Sequence, residues 1–402
     1  MGALVAYAIL AYGYATLTPP WQNPDEPAHF SYVAFVATTG GLPVLQQGDW
    51  DSDLLQRLKT GTLQPRDSVS QIRYESWQPP LFYMLAAPVF RLGPADSALY
   101  RLRGLDAVLG AATLVVAYLV ALNVLPRSLA FAVPLAIAGV PMFTAISASL
   151  SADPLANLLA AVILLALIVR LRRPLEPVGL GALLGLGLLT KLELAIFVPL
   201  AVGVIAVRPS RSFYREAAIM LVTAAALTTP WLIHQVTSYG WTDPLAIARH
   251  SQVVKDQERF SGLSITWLAQ FATITFHSFW AQFGWMAVVA PDRLYWIWGA
   301  ITLLGVVGLI AQSRRWIADH AWQLLVATVV VAFVAYVGYN FSFVQFQGRY
   351  LFTAMVPIGI LLVRGWSAFP LRPWSALVPA AALLALNAYA LVRVLVPGFA
   401  PA

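Results

Sequence analysis

Asp25, Glu26 and His29 fall within five residues of one another in the stretch "PPWQNPDEPAHF", directly after an apolar run with hardly a polar side chain. A carboxylate in a partly desolvated setting gains proton affinity and serves as a general base toward an acceptor hydroxyl or amine. Asp25 and Glu26 are therefore candidate catalytic residues. The segment also reads as a helix N-terminus, with Asp25 as cap, Glu26 favoured by the helix dipole, and Pro24 and Pro27 restricting the backbone. The two readings are compatible if Asn23 or Pro24 starts the helix while Asp25 points at a cavity. Glu26 and His29 share a helix face at i, i+3 and could hold a divalent ion, although two ligands are too few to define a site.

Five further segments carry polar groups in an otherwise greasy chain. In "ESWQPPLFY", Glu75 to Tyr83, Gln78 precedes two prolines that launch a short helix. In "YRLRGLD", Arg101 and Arg103 stand before an apolar run, where a planar guanidinium suits a lipid phosphate. In "SASLSADPLANLL", Asp153 opens a helix with Asn157 one turn on, either as a cap or facing the same cavity as Asp25. In "LLTKLELAIF", Lys191 and Glu193 lie between two apolar segments. Charges near a membrane midplane cost at least ~2.5 to 3.5 kcal/mol each and normally face a bundle interior or a water-filled cavity. Lys191 could neutralise a phosphate, pair with Glu193 or snorkel. In "FVQFQGRYLF", Gln347, Arg349 and Tyr350 form a phosphate or sugar contact, or an interfacial anchor. His234, His250, His277 and His320 make no pair at metal-ligand spacing, and no phosphate-binding glycine loop, GxSxG or HExxH is present. The available chemistry is a carboxylate base with cationic phosphate binders.

These residues must be held by membrane helices. Of 402 residues, 59% are hydrophobic and 11% charged, with a mean hydropathy of +0.73, against about 25% charged in soluble domains. Apolar stretches near 2–18, 104–122, 129–147, 153–170, 177–190, 192–207, 216–234, 293–311, 321–340, 348–364 and 374–395 match the ~20 residues that cross ~30 Å of hydrocarbon. The fold class is an all-α polytopic membrane protein of about 11 transmembrane helices, one domain over 1–402. The first run lacks a basic region and a trustworthy cleavage site and is expected to remain as a span. With the N-terminus cytoplasmic, the inside loops "LPRS", "RLRRPLEP", "RPSRSFYRE", "QSRRWIADH" and "VRGWSAFPLRPW" each carry Arg, the positive-inside pattern. Only Glu176, Glu216 and Asp319 among the acids fall inside. Two outer segments, 19–103 and 235–292, are too long for connectors and should carry the chemistry. Within them 26–39 reads as an amphipathic surface helix, 81–93 as a re-entrant or interfacial helix, and the aromatic stretch from Ile265 as interfacial. Scattered Lys and Arg account for the net charge of +7 without a basic face, so no nucleic acid is expected. Cysteine is absent, which excludes disulfides and thiolate metal sites.

Taken in order, "NPDEPAHFSYV", "SWQPPLFYML", "SASLSADPLANLL", "GLGLLTKLELAIFVPL" and "FQGRYLF" resemble the GT-C superfamily of membrane glycosyltransferases, which includes protein O-mannosyltransferases and the transferases that put aminoarabinose on lipid A. The segment "SFWAQFGWMAVVAPDRLYW" resembles a bacterial branch of uncharacterised membrane proteins and cell-envelope glycosyltransferases. The resemblance implies a polyprenyl-phosphate sugar as donor, inverting transfer on the outer face of a bacterial plasma membrane, and a glycan, lipid or protein acceptor. It implies an acid in the first outer loop as base, matched by Asp25 with Glu26 behind it. Lys191 and Arg349 would hold the donor phosphate; Arg101 and Arg103 rest on the residue reading alone. The cavity would add His29, Gln78, Asp153, Asn157, Glu193, Gln347 and Tyr350. An Asp-x-Asp triplet is missing from the first-loop motif, and "WDSD", Asp51 to Asp53, lies downstream, which leaves divalent metal dependence open. A C-terminal soluble domain is not expected, so acceptor recognition falls to the two long loops or a partner. A catalytically inactive scaffold and a lipid-linked sugar transporter are the alternatives. The one-sided acids and the lack of internal repeats weigh against a transporter.

Overall fold

The computed structural model of the chain describes residues 2–62, 64, 67–207, 212–255, 257–369 and 375–400. All the expected apolar segments are helical, from Gly2–Leu17 to Leu377–Gly398. Six helices are long and apolar enough to cross a membrane, and a bent pair makes up to seven. Gly2–Leu17, Pro177–Leu188 and Leu192–Val207 are apolar but shorter. Parts of two arginine-bearing loops, 208–211 and 370–374, lie outside the described residues.

The segment expected as one span over 129–147 is broken. Arg127–Ala138 and Pro141–Ser147 meet at 71°. Pro141 supplies no amide to the preceding turn and disfavours helical backbone at the residue before it. Val140 is accordingly extended, at φ −86° and ψ 110°. Elsewhere close helix contact uses small residues. A Cβ on Gly185 would stand 3.0 Å from that of Leu227, so Pro177–Leu188 lies directly on Phe213–Tyr239.

The first long loop is a folded cap. It contains helices Glu26–Thr39, Ser52–Thr60 and Leu81–Arg91. Glu26–Thr39 is not the surface helix expected: most of it is buried, and Tyr32 stacks on Tyr83 with centroids 3.6 Å apart. Tyr32, Val33 and Val36 share an apolar cluster with Phe82, Leu99 and Leu102. The second loop holds Ile247–Val253, Ile265–Trp280 and a two-stranded antiparallel hairpin, Gln282–Phe283 with Val288–Val289.

The span helix begins at Ala98, earlier than expected, and so contains Arg101 and Arg103. Arg103 is fully buried against Glu26, also fully buried. Its Nε donates to Glu26 Oε1 at 2.8 Å and its Nη2 to Oε2 at 2.6 Å. The remaining guanidinium hydrogens reach the carbonyls of Ala15, Thr18 and Pro19 at 2.8, 2.7 and 3.1 Å, where the first helix ends. Glu26 also accepts from the amides of Trp21 and Leu150 and from Asn23 Nδ2. Breaking such a pair from one side leaves an uncompensated buried charge, at a cost of about 3–5 kcal/mol. Arg103→Met should therefore lower the thermal unfolding temperature in detergent sharply, and Arg103→Met with Glu26→Gln should recover part of the loss. A variant that keeps full stability but loses donor lipid binding would instead make Arg103 a phosphate ligand.

Candidate active site

The two long loops close over a cavity of about 680 Å³, within the range of small-molecule sites. Its charged lining comes from segments far apart in the chain: Asp25 and Glu75 from the first loop, Asp153 from the start of a span, Lys191 and Glu193 from a break between two short helices, and Arg349 from a late turn.

Asp25 reaches the cavity through its backbone. It is the residue before helix Glu26–Thr39 and sits at φ 62°, in the left-handed region, with no side-chain cap bond. Its carbonyl accepts from the amides of Ala28 and His29 at 3.1 and 3.0 Å, so the helix is started by main chain and the carboxylate is not used as a cap. Left-handed backbone at a non-glycine residue costs of the order of 1–3 kcal/mol and gathers at functional sites. Here it separates two neighbouring acids: Glu26 turns into the protein and Asp25 into the cavity.

Arg349 is delivered by a glycine. A Cβ on Gly348 would lie 2.5 Å from the Phe279 amide nitrogen and closer still to the Thr275 carbonyl oxygen, so only glycine lets this turn lie on helix Ile265–Trp280. Ser278 Oγ then accepts from the Gly348 amide at 2.7 Å and donates to the Phe346 carbonyl at 3.1 Å. Lys191 is extended, at φ −157°, between Pro177–Leu188 and the 3₁₀ turn Leu192–Ile196. The Leu81 amide ties the first loop to this break by donating to the Leu189 carbonyl at 2.9 Å.

The charges alternate. Arg349 Nη2 meets Asp25 Oδ2 at 2.5 Å, and its Nη1 stands 3.7 Å from Asp153 Oδ2. Asp153 Oδ1 pairs with Lys191 Nζ, which also faces Glu193 Oε1 at 3.3 Å. Tyr74 donates to Asp25 Oδ1 at 2.8 Å. Tyr350 flanks both cations, with its ring centroid 5.6 Å from Lys191 Nζ and 5.5 Å from the Arg349 guanidinium carbon. Gln347 Oε1 accepts from Arg349 Nε at 2.7 Å. Burial acts to raise the pKa of Asp25, but the Arg349 guanidinium, with His29 and the Tyr74 hydroxyl, outweighs it and holds the carboxyl below its usual range. Burial pushes His29 down to about 4, against the opposing pull of Asp25 and Asp153; its Nδ1 lies 2.8 Å from Tyr83 Oη.

Expected site residues Asp25, His29, Gln78, Asp153, Lys191, Glu193, Gln347, Arg349 and Tyr350 thus share one cavity wall. Four others do not line it. Glu26 and Arg103 are spent on each other. Arg101 closes the end of helix Leu81–Arg91, donating to the carbonyls of Phe90 and Pro94 at 2.9 Å each. Asn157 is buried one turn behind Asp153, its Nδ2 without a hydrogen-bond partner among the described residues. Glu26 and His29 consequently do not converge, and among the described residues no three His, Asp or Glu side chains gather as a metal-ligand set.

Glu75 was missing from the expected site. Its Oε2 accepts from Gln78 Nε2 at 2.8 Å, and among the described residues no cation pairs with it. Burial first, then the nearby charge of Asp25, raises its pKa to about 7. The signal in the sequence was an acid flanked by Tyr74 and Trp77 ahead of two prolines.

The fold and this cavity define a polytopic helical membrane protein. The structure of ArnT from Cupriavidus metallidurans bound to undecaprenyl phosphate aligns at a TM-score of 0.61 and 14% identity over 98% of this chain and 73% of that one. The oligosaccharyltransferase of Archaeoglobus fulgidus in its apo form aligns at 0.54 and 14%, over 99% of this chain and 55% of that one. The chain therefore spans about half of the archaeal protein's length. Residues 73–358 match the family described as "Predicted membrane protein (DUF2142)", and the chain belongs to that family. A comparison with curated proteins finds no match.

The raised pKa of Glu75 carries a sign. The folded state holds its proton more tightly than the unfolded chain, so that contribution to stability is complete below the unfolded value and is lost as pH rises through the folded one. Thermal stability of the wild type should fall between pH 4.5 and about 7, and the fall should be smaller in Glu75→Gln. Identical slopes in the two proteins would show that Glu75 does not titrate there.

Proposed function

We propose that the protein is a membrane glycosyltransferase that moves a sugar from a polyprenyl-phosphate donor to an acceptor. The observation that carries this reading is the meeting of Asp25, Arg349, Asp153 and Lys191, drawn from four distant segments, in one cavity. The GT-C fold, and the undecaprenyl phosphate held by the similar ArnT structure, support a lipid-phosphate donor.

The reaction is a single displacement. An acceptor hydroxyl or amine attacks the anomeric carbon, the bond from that carbon to the phosphate oxygen breaks, and the phosphate leaves with the electron pair. Configuration inverts. Asp25 takes the acceptor proton, while Lys191 and Arg349 stabilise the departing phosphate by charge. Both cations face carboxylates in the cavity. A donor phosphate competes for Arg349, and as the guanidinium turns toward it the proton affinity of Asp25 rises. The base is thereby matched to the presence of donor.

The arginine-bearing short loops support a cytoplasmic N-terminus and a cavity facing outward from a bacterial plasma membrane. Membrane lipids surround the helices, and the acceptor is a glycan, a lipid or a protein. A positioned base contributes about 10²- to 10⁴-fold, so folded Asp25→Asn should lose release of polyprenyl phosphate by that factor across a panel of polyprenyl-phosphate sugars. A parallel arm with chelator decides metal dependence. Lipid binding without release by either protein, with a crude envelope extract as acceptor, would favour a scaffold or a transporter.

A further inference from the structure

The roof of the cavity, where the two long loops meet, is aromatic. Helix Ser52–Thr60 buries Leu54, Leu55 and Leu58 with Ile72, Tyr74, Val253 and Val254, and Trp50, Trp77 and Trp285 are packed on the same cluster. Consecutive left-handed residues Gly284, Trp285 and Met286, at φ 58°, 54° and 69°, reverse the hairpin, and both Trp285 and Met286 line the cavity. The Trp285 Nε1 donates to the Trp21 carbonyl at 2.9 Å, which fixes its ring. Lys59 Nζ stands 4.3 Å from that ring's centroid. An ammonium on an indole face is held by the ring's quadrupole while its stem packs on apolar surface.

Lys59 differs from the other cations of the cavity. Lys191 and Arg349 each face two carboxylates. Among the described residues no carboxylate lies within ion-pair distance of Lys59, and burial holds its ammonium below its usual pKa although Asp25 acts to raise it. Two further lining groups are unsatisfied: Trp77 Nε1 is a buried donor, and Gln257 Oε1 a buried acceptor, with no hydrogen-bond partner among the described residues. An unpaired cation, a spare donor, a spare acceptor and flat indoles are together complementary to a sugar that carries negative charge. The C–H face of the ring lies on aromatic surface, its hydroxyls take the spare bonds, and its anion meets the ammonium.

We propose that Lys59 and Trp285, with Trp77 and Gln257, form a subsite for an acidic saccharide, one bearing a carboxylate or a phosphate. That this saccharide is the acceptor rests on the transferase reading; that it binds does not. The donor phosphate and the acceptor anion are then held by separate cations, so the two substrates occupy the cavity together without competing for one charge.

The test uses the purified full chain in uncharged detergent and measures binding by tryptophan fluorescence and calorimetry. The probes are a galacturonate trisaccharide, a neutral galactose trisaccharide, a glycerol-phosphate trimer and inorganic phosphate. Wild type and Lys59→Arg should bind one of the two acidic oligomers about tenfold or more tightly than the neutral one, a gap of about 1.4 kcal/mol. Whichever oligomer wins assigns the carboxylate or the phosphate. Folded Lys59→Met should lose the preference, and Trp285→Leu should weaken acidic and neutral oligomers alike. Equal binding of acidic and neutral oligomers, inorganic phosphate binding as tightly as either, or an unchanged preference in Lys59→Met would overturn the subsite. Failure of the transferase reading is seen elsewhere, as absent polyprenyl phosphate release by wild type, and leaves this binding result standing.

Discussion

The site hangs on one buried ion pair. Glu26 and Arg103 lie at 0% exposure and satisfy each other's charge, and Arg103 at the same time gathers the carbonyls that end the first helix. Three elements are thereby fixed to one point: the first helix, the start of the first loop, and helix Ala98–Leu122. The Leu150 amide adds the turn that precedes Asp153. Taking two charges out of water costs several kcal/mol per ion and is offset only when geometry and hydrogen bonding are near complete. Here every guanidinium hydrogen has an acceptor, so the pair tolerates burial and holds its neighbours in register. Asp25 and Asp153, a few residues from this knot on either side, inherit their positions from it.

The cavity obeys the opposite rule. Its charges are neutralised in alternation, Asp25 with Arg349, Asp153 with Arg349 and Lys191, Glu193 with Lys191, yet its wall is open to a ligand. On the proposed reading, an anion entering there would not meet bare cations but would exchange with carboxylates already in place. The gain on binding would then be a difference between two ion-pair arrangements, and the displaced carboxylate would become more basic. The buried pair and the cavity pairs thus differ in solvent access and in how many partners each charge keeps, not in residue type.

The helical segments were legible because a span has to be apolar over a fixed length, and that constraint writes itself into hydropathy. What hydropathy does not encode is direction. Arg101 and Arg103, two residues apart on one helix, read as a pair, yet one covers a helix end and the other enters the interior. Glu26 and Asp25 divide in the same way, through a single left-handed residue that no propensity marks. The bend at Val140 was written in Pro141, but a span-length window averages over it. Glu75 does not stand out in the sequence, because the charges it shares the cavity with, Asp25, Lys191 and Arg349, come from segments far from it in the chain. The motifs at Asp153, Lys191 and Arg349 were found because charge inside an apolar run is costly enough to need a reason.

The placement of backbone strain argues that this cavity is what the loops are folded to build. The non-glycine residues with left-handed φ among those described are Trp21, Asp25, Ala246, Trp285 and Met286. Asp25, Trp285 and Met286 line the cavity, Trp21 holds the Trp285 indole, and Ala246 starts the helix that brings Ile247 and His250 to the wall. Each costs of the order of 1–3 kcal/mol, a substantial share of a typical folding free energy of about 5–15 kcal/mol. Strain scattered at random would fall on surface turns, where glycine relieves it easily. Gathered around one wall, it is sustained by the packing of Leu54, Leu58, Ile72 and Val253 beneath the roof and by the Glu26 pair beside it. The stable parts of the molecule therefore carry the unstable part, and the unstable part is the one that faces the cavity.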